Sequence, residues 1–212
     1  MDALSEVLRV VKLESAFFYN AEFSAPWSFR SPESCKYAPY IHEAGGHVIV
    51  YHLLTDGRAY AQLEDKRLPL IAGDVVIFPH GHAHSIESGP ALHIVDGGEE
   101  LPRIFSEGPK LSRMEGGGEI TRFVCGYMVC EPRLSQVIMA GLPPVFEVNI
   151  REDKSGQWLE NSIRYSIAEA GAKQAGGQAV LAKLCETLFT ETLRRYVTQL
   201  PERQTLRRAM PE

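Results

Sequence analysis

Gly73-Asp74-Val75-Val76-Ile77-Phe78-Pro79-His80-Gly81-His82-Ala83-His84 is the stretch whose reading decides the fold. Gly73-Asp74 makes a turn into four consecutive apolar residues, Val75 to Phe78, the pattern of a strand covered on both faces. Pro79-x-Gly81 then makes a second turn, because proline presets one backbone angle and glycine tolerates another that other residues avoid. That turn delivers His84 at the start of the next strand, with its side chain directed into whatever the strands enclose.

Outward from this stretch, short apolar segments broken by Gly, Pro and Asp run from Phe17 to Val129. They place strands near 17–23, 27–30, 47–54, 58–64, 67–71, 74–79, 83–87, 91–96 and 120–129. Thr55-Asp56-Gly57-Arg58 reads as a tight hairpin turn. Eight or nine short strands with tight turns indicate a β-barrel or jelly roll. Toward the N-terminus, Leu4, Val7, Leu8 and Val11 share a helical stripe, so a short helix is expected over 2–13. The segment 97–119 is Gly-rich and charged without periodicity, and reads as a long, mobile loop.

After 142–148 the period changes. Leu159, Ile163 and Ile167 recur every four residues, and Leu181, Leu184, Cys185, Leu188, Phe189, Leu193, Tyr196, Val197 and Leu200 form a wider apolar stripe. Two helices are therefore expected, roughly 156–170 and 177–199, the second broad enough to pack on two surfaces. This divides the chain into a β-barrel over 1–148, with its short N-terminal helix, and a helical segment over 149–212.

Of the 212 residues, 44% are apolar and 23% charged, with 22 Lys+Arg against 27 Asp+Glu and a net charge of −5. Such a chain can bury a sizeable core, and its charge argues against gripping nucleic acid through a basic face. The arginine-rich stretch RRYVTQLPERQTLRR reads as a solvated edge. No apolar run reaches the roughly 18 residues needed to span a bilayer, and the first residues lack the make-up of an export signal. A cytoplasmic location is expected. The four cysteines, Cys35, Cys125, Cys130 and Cys185, are too few for a disulfide scaffold and read as free thiols. Cys185 lies on the apolar helix stripe, as a small core residue. Opposite parity makes a Cys125–Cys130 bridge along one strand poor in geometry.

The spacing G-x5-P-x-G-x2-H over Gly73–His84 matches the second cupin motif at every fixed position. The first cupin motif, which supplies two histidines and a glutamate in metal enzymes, is degraded: Val50 stands where the glutamate would, and no H-x-H pair exists. His52 shares the parity of position 50 and should face inward. Together with FFYNAEFSAPWSFRSP, HVIVYHLLTDGRAYAQLED, VCGY, LPPVF, WLENSIRY and VLAKLCETLFTETLRRYV, the motif resembles the N-terminal cupin-like domain of AraC-type transcriptional regulators, over almost the whole chain. The resemblance implies a mainly β fold: a cupin-like double-stranded β-helix, or jelly-roll barrel, with a two-helix dimerisation appendage at its C-terminal end. It implies a homodimer through those helices and an unknown small-molecule effector, but no enzyme activity. DNA would be bound only through a C-terminal helix-turn-helix domain that the 212 residues do not contain. A regulatory domain excised from a longer regulator is therefore expected. An effector or oxidant would favour one arrangement of the helical interface by population shift.

In the resembling family a histidine before the Asp-Gly turn, a histidine closing P-x-G-x-x-H and a cysteine before Gly recur. Here these are His52, His84 and Cys125, and three N/S ligands suit Zn²⁺ with one position open. The plainer reading has His84 and His52 bonding buried polar groups and Cys125 as inert core. Cys125 also invites an oxidant-sensing reading if basic neighbours lower its pKa. His80 and His82 sit on the turn itself, solvated or lining the barrel mouth, and His93 reads as a strand residue. Trp27, Tyr51 and Tyr60 are the candidates for lining an effector cavity at the barrel mouth. The rival class is a small metal-dependent cupin enzyme, a dioxygenase or isomerase, which needs three or four converging ligands. A third reading, a dimerisation module without ligand, expects a barrel interior packed shut by its own side chains.

Overall fold

The computed structural model describes residues 13–41, 46–90, 93–107, 112–114, 116–130, 139–171 and 175–209. The expected N-terminal helix, at 2–13, lies outside them but for Leu13, which opens the first strand. Eleven strands are described. They are β1 (Leu13–Ser24), β2 (Trp27–Ser31), β3 (His47–Asp56), β4 (Arg58–Leu63), β5 (Lys66–Ile71), β6 (Asp74–Phe78), β7 (His84–Glu87), β8 (His93–Asp96), β9 (Ser112–Met114), β10 (Ile120–Cys130) and β11 (Phe146–Asn149). A single α-turn, α1 (Ala38–Ile41), follows β2, and α2 (Gly97–Glu107) follows β8. Two long helices, α3 (Lys154–Gly171) and α4 (Gly177–Ala209), close the order.

The strands form a sandwich of two sheets, ordered β11-β6-β3-β10-β1-β9 and β5-β4-β7-β2-β8. The fold is mainly β with C-terminal helices, a cupin-like barrel as expected. No described helix is long and apolar enough to cross a membrane. The stretch 97–119, read from its glycines as a loop, instead holds α2 and β9, the latter pairing in parallel with β1. Glu99 and Glu100 suit the positive end of α2, and Leu101 and Ile104 are buried. Two glycines and Pro102 hid this short apolar spacing from a reading of the sequence.

Burial explains the strand sequences. In β3 every residue from Val48 to Thr55 is buried, because one face lines the barrel and the other lies under helices. In β4 burial alternates, Ala59, Ala61 and Leu63 inside and Arg58, Tyr60 and Gln62 outside, because no layer among the described residues covers the outer face of its sheet. This is the difference between a sheet covered twice and one covered once.

The helix pair lies on the outer face of the six-stranded sheet. Leu159 and Ile163 of α3, with Leu181, Cys185, Leu188, Phe189 and Leu193 of α4, bury against Phe18, Ile49, Tyr51, Leu53, Val124 and Met128. Each large apolar side chain so buried contributes about 1.5–3 kcal/mol. Asp153 caps α3, its Oδ1 accepting the Gly156 N–H at 2.9 Å, a contact typical of a helix start. That N–H and the Arg195 guanidinium hold the Asp153 carboxyl well below the usual carboxylate range.

Two arginines pin this layer to the barrel. Arg151 donates to both carboxylate oxygens of buried Glu160, at 2.7 and 2.6 Å, and to the Thr55 carbonyl at 2.7 Å. Arg195, almost fully buried on α4, donates to Asp153 at 2.7 Å and to Glu191 at 2.7 Å. Arg151 did not stand out in the sequence, and Arg195, read there as part of a solvated arginine-rich edge, is instead buried and paired, since a structural and a solvated guanidinium look the same in sequence.

A buried thiol–imidazole row as the candidate functional site

The turn after β6 sets the site. Gly81 adopts φ +68°, and a Cβ there would stand 1.8 Å from Ser34 Oγ and 2.7 Å from the Val48 carbonyl oxygen. The Ser34 hydroxyl donates to that same carbonyl at 2.9 Å, and the Ser34 N–H to the Gly81 carbonyl. Only glycine lets the loop dock this closely. The dock turns the chain so that His84, opening β7, projects into the barrel, 6% exposed and stacked on Phe78 at 3.6 Å between ring centroids.

Sheet register supplies the rest. Tyr19 on β1, Cys125 on β10 and His52 on β3 stand opposite one another on adjacent strands. Their side chains form one inward row, since directly opposed residues share a face. His84 reaches this row from the other sheet. His52 Nδ1 lies 3.0 Å from Cys125 Sγ, His52 Nε2 lies 2.9 Å from His84 Nε2, and His84 Nδ1 lies 2.8 Å from the His82 carbonyl oxygen.

The protons in this row can be assigned from its end. A carbonyl only accepts, so His84 Nδ1–H donates to His82, and neutral His84 keeps a lone pair on Nε2. His52 Nε2–H then donates to His84, leaving His52 Nδ1 to accept from the Cys125 S–H. Burial agrees with this neutral arrangement. It pushes His84 down to about 4 and holds His52 well below its ordinary value, with His84 beside it adding in the same direction. Burial also pushes the Cys125 thiol up to about 12, and it keeps Tyr19, beside Cys125, in the phenol form.

The row does not fit a zinc centre. His52 meets Cys125 and His84 through opposite edges of one ring, so no single ion bound to His52 reaches both partners. The two Nε2 atoms at 2.9 Å are also closer than about 3.3 Å, the separation two Zn–N bonds at a tetrahedral angle require. Among the described residues no group of three His, Cys, Asp or Glu converges as ligands. The three expected ligands are thus neighbours in a line, without a common centre. The oxidant-sensing reading of Cys125 meets a thiol 4% exposed, held protonated, with neutral rather than cationic imidazole beside it; a reactive thiolate needs the reverse.

The expected effector-lining residues do not share a cavity. Trp27 is inside the barrel, stacked on Phe23 at 4.2 Å with Phe123 edge-on to both. Its Nε1 is buried without a hydrogen-bond partner among the described residues. Tyr51 adjoins His52 in sequence and so faces the other side of the sheet, beside Cys185 under α4. Tyr60 lies on the outer face of the five-stranded sheet, with the Arg67 guanidinium 3.8 Å over its ring. Strand alternation separates all three. Buried Tyr37 and Tyr127 pack against each other, and half-buried Phe105 of α2 packs on both. His80 bonds the Leu142 carbonyl, His82 is exposed, and the side chain of His93 lies outside what is described. Cys35 is exposed, and Cys125 and Cys185 are buried, all three as free thiols.

A family model described as Cupin matches residues 2–198. The HTH-type transcriptional regulator AlkR of Acinetobacter baylyi (strain ATCC 33305 / BD413 / ADP1) is 20% identical over 207 residues, 95% of this chain and 63% of that protein. The chain thus spans less than two thirds of this relative's length. Among solved structures, unsaturated fatty acid bound ToxT from Vibrio cholerae strain SCE256 aligns with a TM-score of 0.44 at 9% identity. That alignment covers 86% of this chain and 56% of the other. YhaK from Escherichia coli aligns at 0.34 and 12% identity, over 68% and 52%.

Proposed function

The chain belongs to the cupin family, and from that premise we propose that it is the effector-responsive, dimerising part of an AraC-type transcription regulator acting in the cytoplasm. The observation that carries this reading is the seating of the helix pair. Barrel sheet and helices share one apolar core, and Arg151 joins the Thr55 carbonyl on β3 to Glu160 on α3. A change at that edge of the barrel is therefore felt by the helices, and two such packings can be biased by a ligand that prefers one. Binding of DNA belongs, in this reading, to a helix-turn-helix unit of the kind after which the relative AlkR is named.

The helices also supply the dimer face. Trp158 and Tyr165, seven apart on α3, and Val180 on α4 are exposed by 62, 65 and 55%. Seven residues is close to two helical turns, so the two aromatics share one side of α3. Sedimentation of the chain at tens of micromolar should show a dimer, and Trp158→Glu should weaken it; a strictly monomeric chain removes the dimerisation proposal.

The rival enzyme reading needs a converging ligand set, and the linear Cys125–His52–His84 arrangement argues against it. The ligand-free dimerisation module keeps one specific support: Phe23, Trp27, Phe123, Tyr37 and Tyr127 are all buried in one apolar cluster inside the barrel. An effector, on this geometry, binds outside that interior. A thermal-shift screen of small metabolites separates the two readings, since the module predicts no stabiliser.

A further inference from the structure

A cleft of about 280 Å³ opens where α3 leaves the outer face of the six-stranded sheet uncovered. Asn20 and Glu22 of β1, Thr55 of β3 and Arg122 and Phe123 of β10 form one wall, and Arg164 of α3 forms the other. Most of the charge there is already matched. Glu22 holds Arg122 at 2.8 Å and Arg113 at 3.3 Å, and Arg122 also holds Asp56 at 2.7 Å. Arg164 is different. Its single ion pair among the described residues is a 3.6 Å contact with Glu160, whose two oxygens are both taken by Arg151. The Asn20 carboxamide, across the cleft, makes no hydrogen bond among the described residues and so also has unused donors. Two guanidinium groups against one carboxylate leave the lining with one surplus positive charge.

We infer that this cleft binds a small organic monocarboxylate, held by the Arg164 guanidinium and the Asn20 carboxamide. A planar carboxylate matches the guanidinium fork, and charge-assisted bonds of this kind are roughly twice as strong as neutral ones. The volume is below that of typical drug-sized pockets, which limits the ligand to a short or single-ring acid. The site bridges barrel and helix, beside the Thr55–Arg151–Glu160 connection, so a carboxylate spanning it prefers one seating of α3 over another. Naming this ligand an effector rests on the regulatory reading above; the binding itself does not.

The test uses the full 212-residue chain and two-dimensional amide NMR with benzoate, benzamide and inorganic phosphate as probes. Benzoate should give saturable shifts centred on Asn20, Thr55, Arg122 and Arg164. Benzamide, equal in shape but uncharged, should bind roughly tenfold more weakly or worse. Arg164→Gln should cost benzoate about tenfold in affinity, and Asn20→Asp, which places a negative charge in the cleft, should do the same. The two variants approach the site from different elements, and an unchanged spectrum elsewhere shows that each remains folded. Absence of saturable shifts, shifts centred elsewhere, equal binding of benzamide, or phosphate binding in preference to benzoate would each overturn the inference. A monomeric chain that still binds benzoate in the cleft would leave the site standing and remove only the dimerising regulator.

Discussion

His52 Nε2 and His84 Nε2 face each other at 2.9 Å across the barrel, and a single proton lies between them. A second proton on this pair would set two N–H groups against each other in a buried space, and the ends of the row offer no relief. The His82 carbonyl already takes the other His84 proton, and Cys125 already donates to His52.

Stability should therefore depend on pH through these imidazoles. In the unfolded chain a histidine titrates near 6.5, whereas burial pushes folded His84 down to about 4. Between those values the unfolded chain binds a proton that the folded chain refuses, so stability rises with pH. It is complete above about pH 6.5 and falls progressively toward pH 4, by roughly 3 kcal/mol for His84 alone. His52, shifted in the same direction, adds to the fall. Urea unfolding at pH 7.5 and pH 4.5 measures this, and His84→Gln should flatten the difference. A wild-type profile independent of pH would contradict the neutral row.

Thiol labelling should follow exposure. Native protein treated with N-ethylmaleimide and mapped by mass spectrometry should carry the label at Cys35 and not at Cys125 or Cys185 until denaturant is added. Burial keeps Cys125 protonated, and the thiolate is the nucleophile. Labelling of Cys125 as fast as Cys35 would mean that the barrel opens readily or that the thiol is activated after all.

Metal analysis bears on the same row. Protein purified without an immobilised-metal column should hold less than about a tenth of an equivalent of zinc, since a bound structural ion is retained with large free energy. Near-stoichiometric zinc would require His52 to turn so that its partners converge.

Arg151→Ala should destabilise the chain by about 2–3 kcal/mol, because it strips the paired charge from Glu160, which is 4% exposed. Hydrogen exchange should quicken in α3 and at the β3–β4 turn together, since Arg151 holds both. Arg151→Ala with Glu160→Gln should recover part of the loss. Exchange that changes only in α3 would show that the Thr55 contact transmits little.

Gly81→Ala should cost more than about 2 kcal/mol, combining a left-handed backbone with a contact at Ser34 that cannot be tolerated. Pairing it with Ser34→Gly should recover only part, because the Val48 carbonyl remains 2.7 Å from the new methyl. Full recovery would locate the constraint in the Ser34 side chain alone.

Nine of the eleven described strands, the helix pair and the inward turn of His84 were legible in the chain itself. Each follows from local rules: a period of two or near 3.6, and turn chemistry imposed by Gly and Pro over a few residues. The Asp56-Gly57 turn, expected to close a hairpin, instead carries the chain from the six-stranded sheet to the five-stranded one, since β3 and β4 do not pair. Parity along a strand also reached His52, but the same parity excluded Tyr51 from the barrel, a consequence that the residue type alone concealed. What only the tertiary structure decided was which residues meet across long separations. Cys125 and His52 are 73 residues apart, and Arg151 and Thr55 are 96 apart. Register between distant strands and the seating of helices on a sheet are set by mutual packing of whole surfaces, which no local spacing encodes. That packing turned three candidate metal ligands into a hydrogen-bonded line, buried an aromatic cluster inside the barrel, and left Arg164 and Asn20 facing one another across an open cleft.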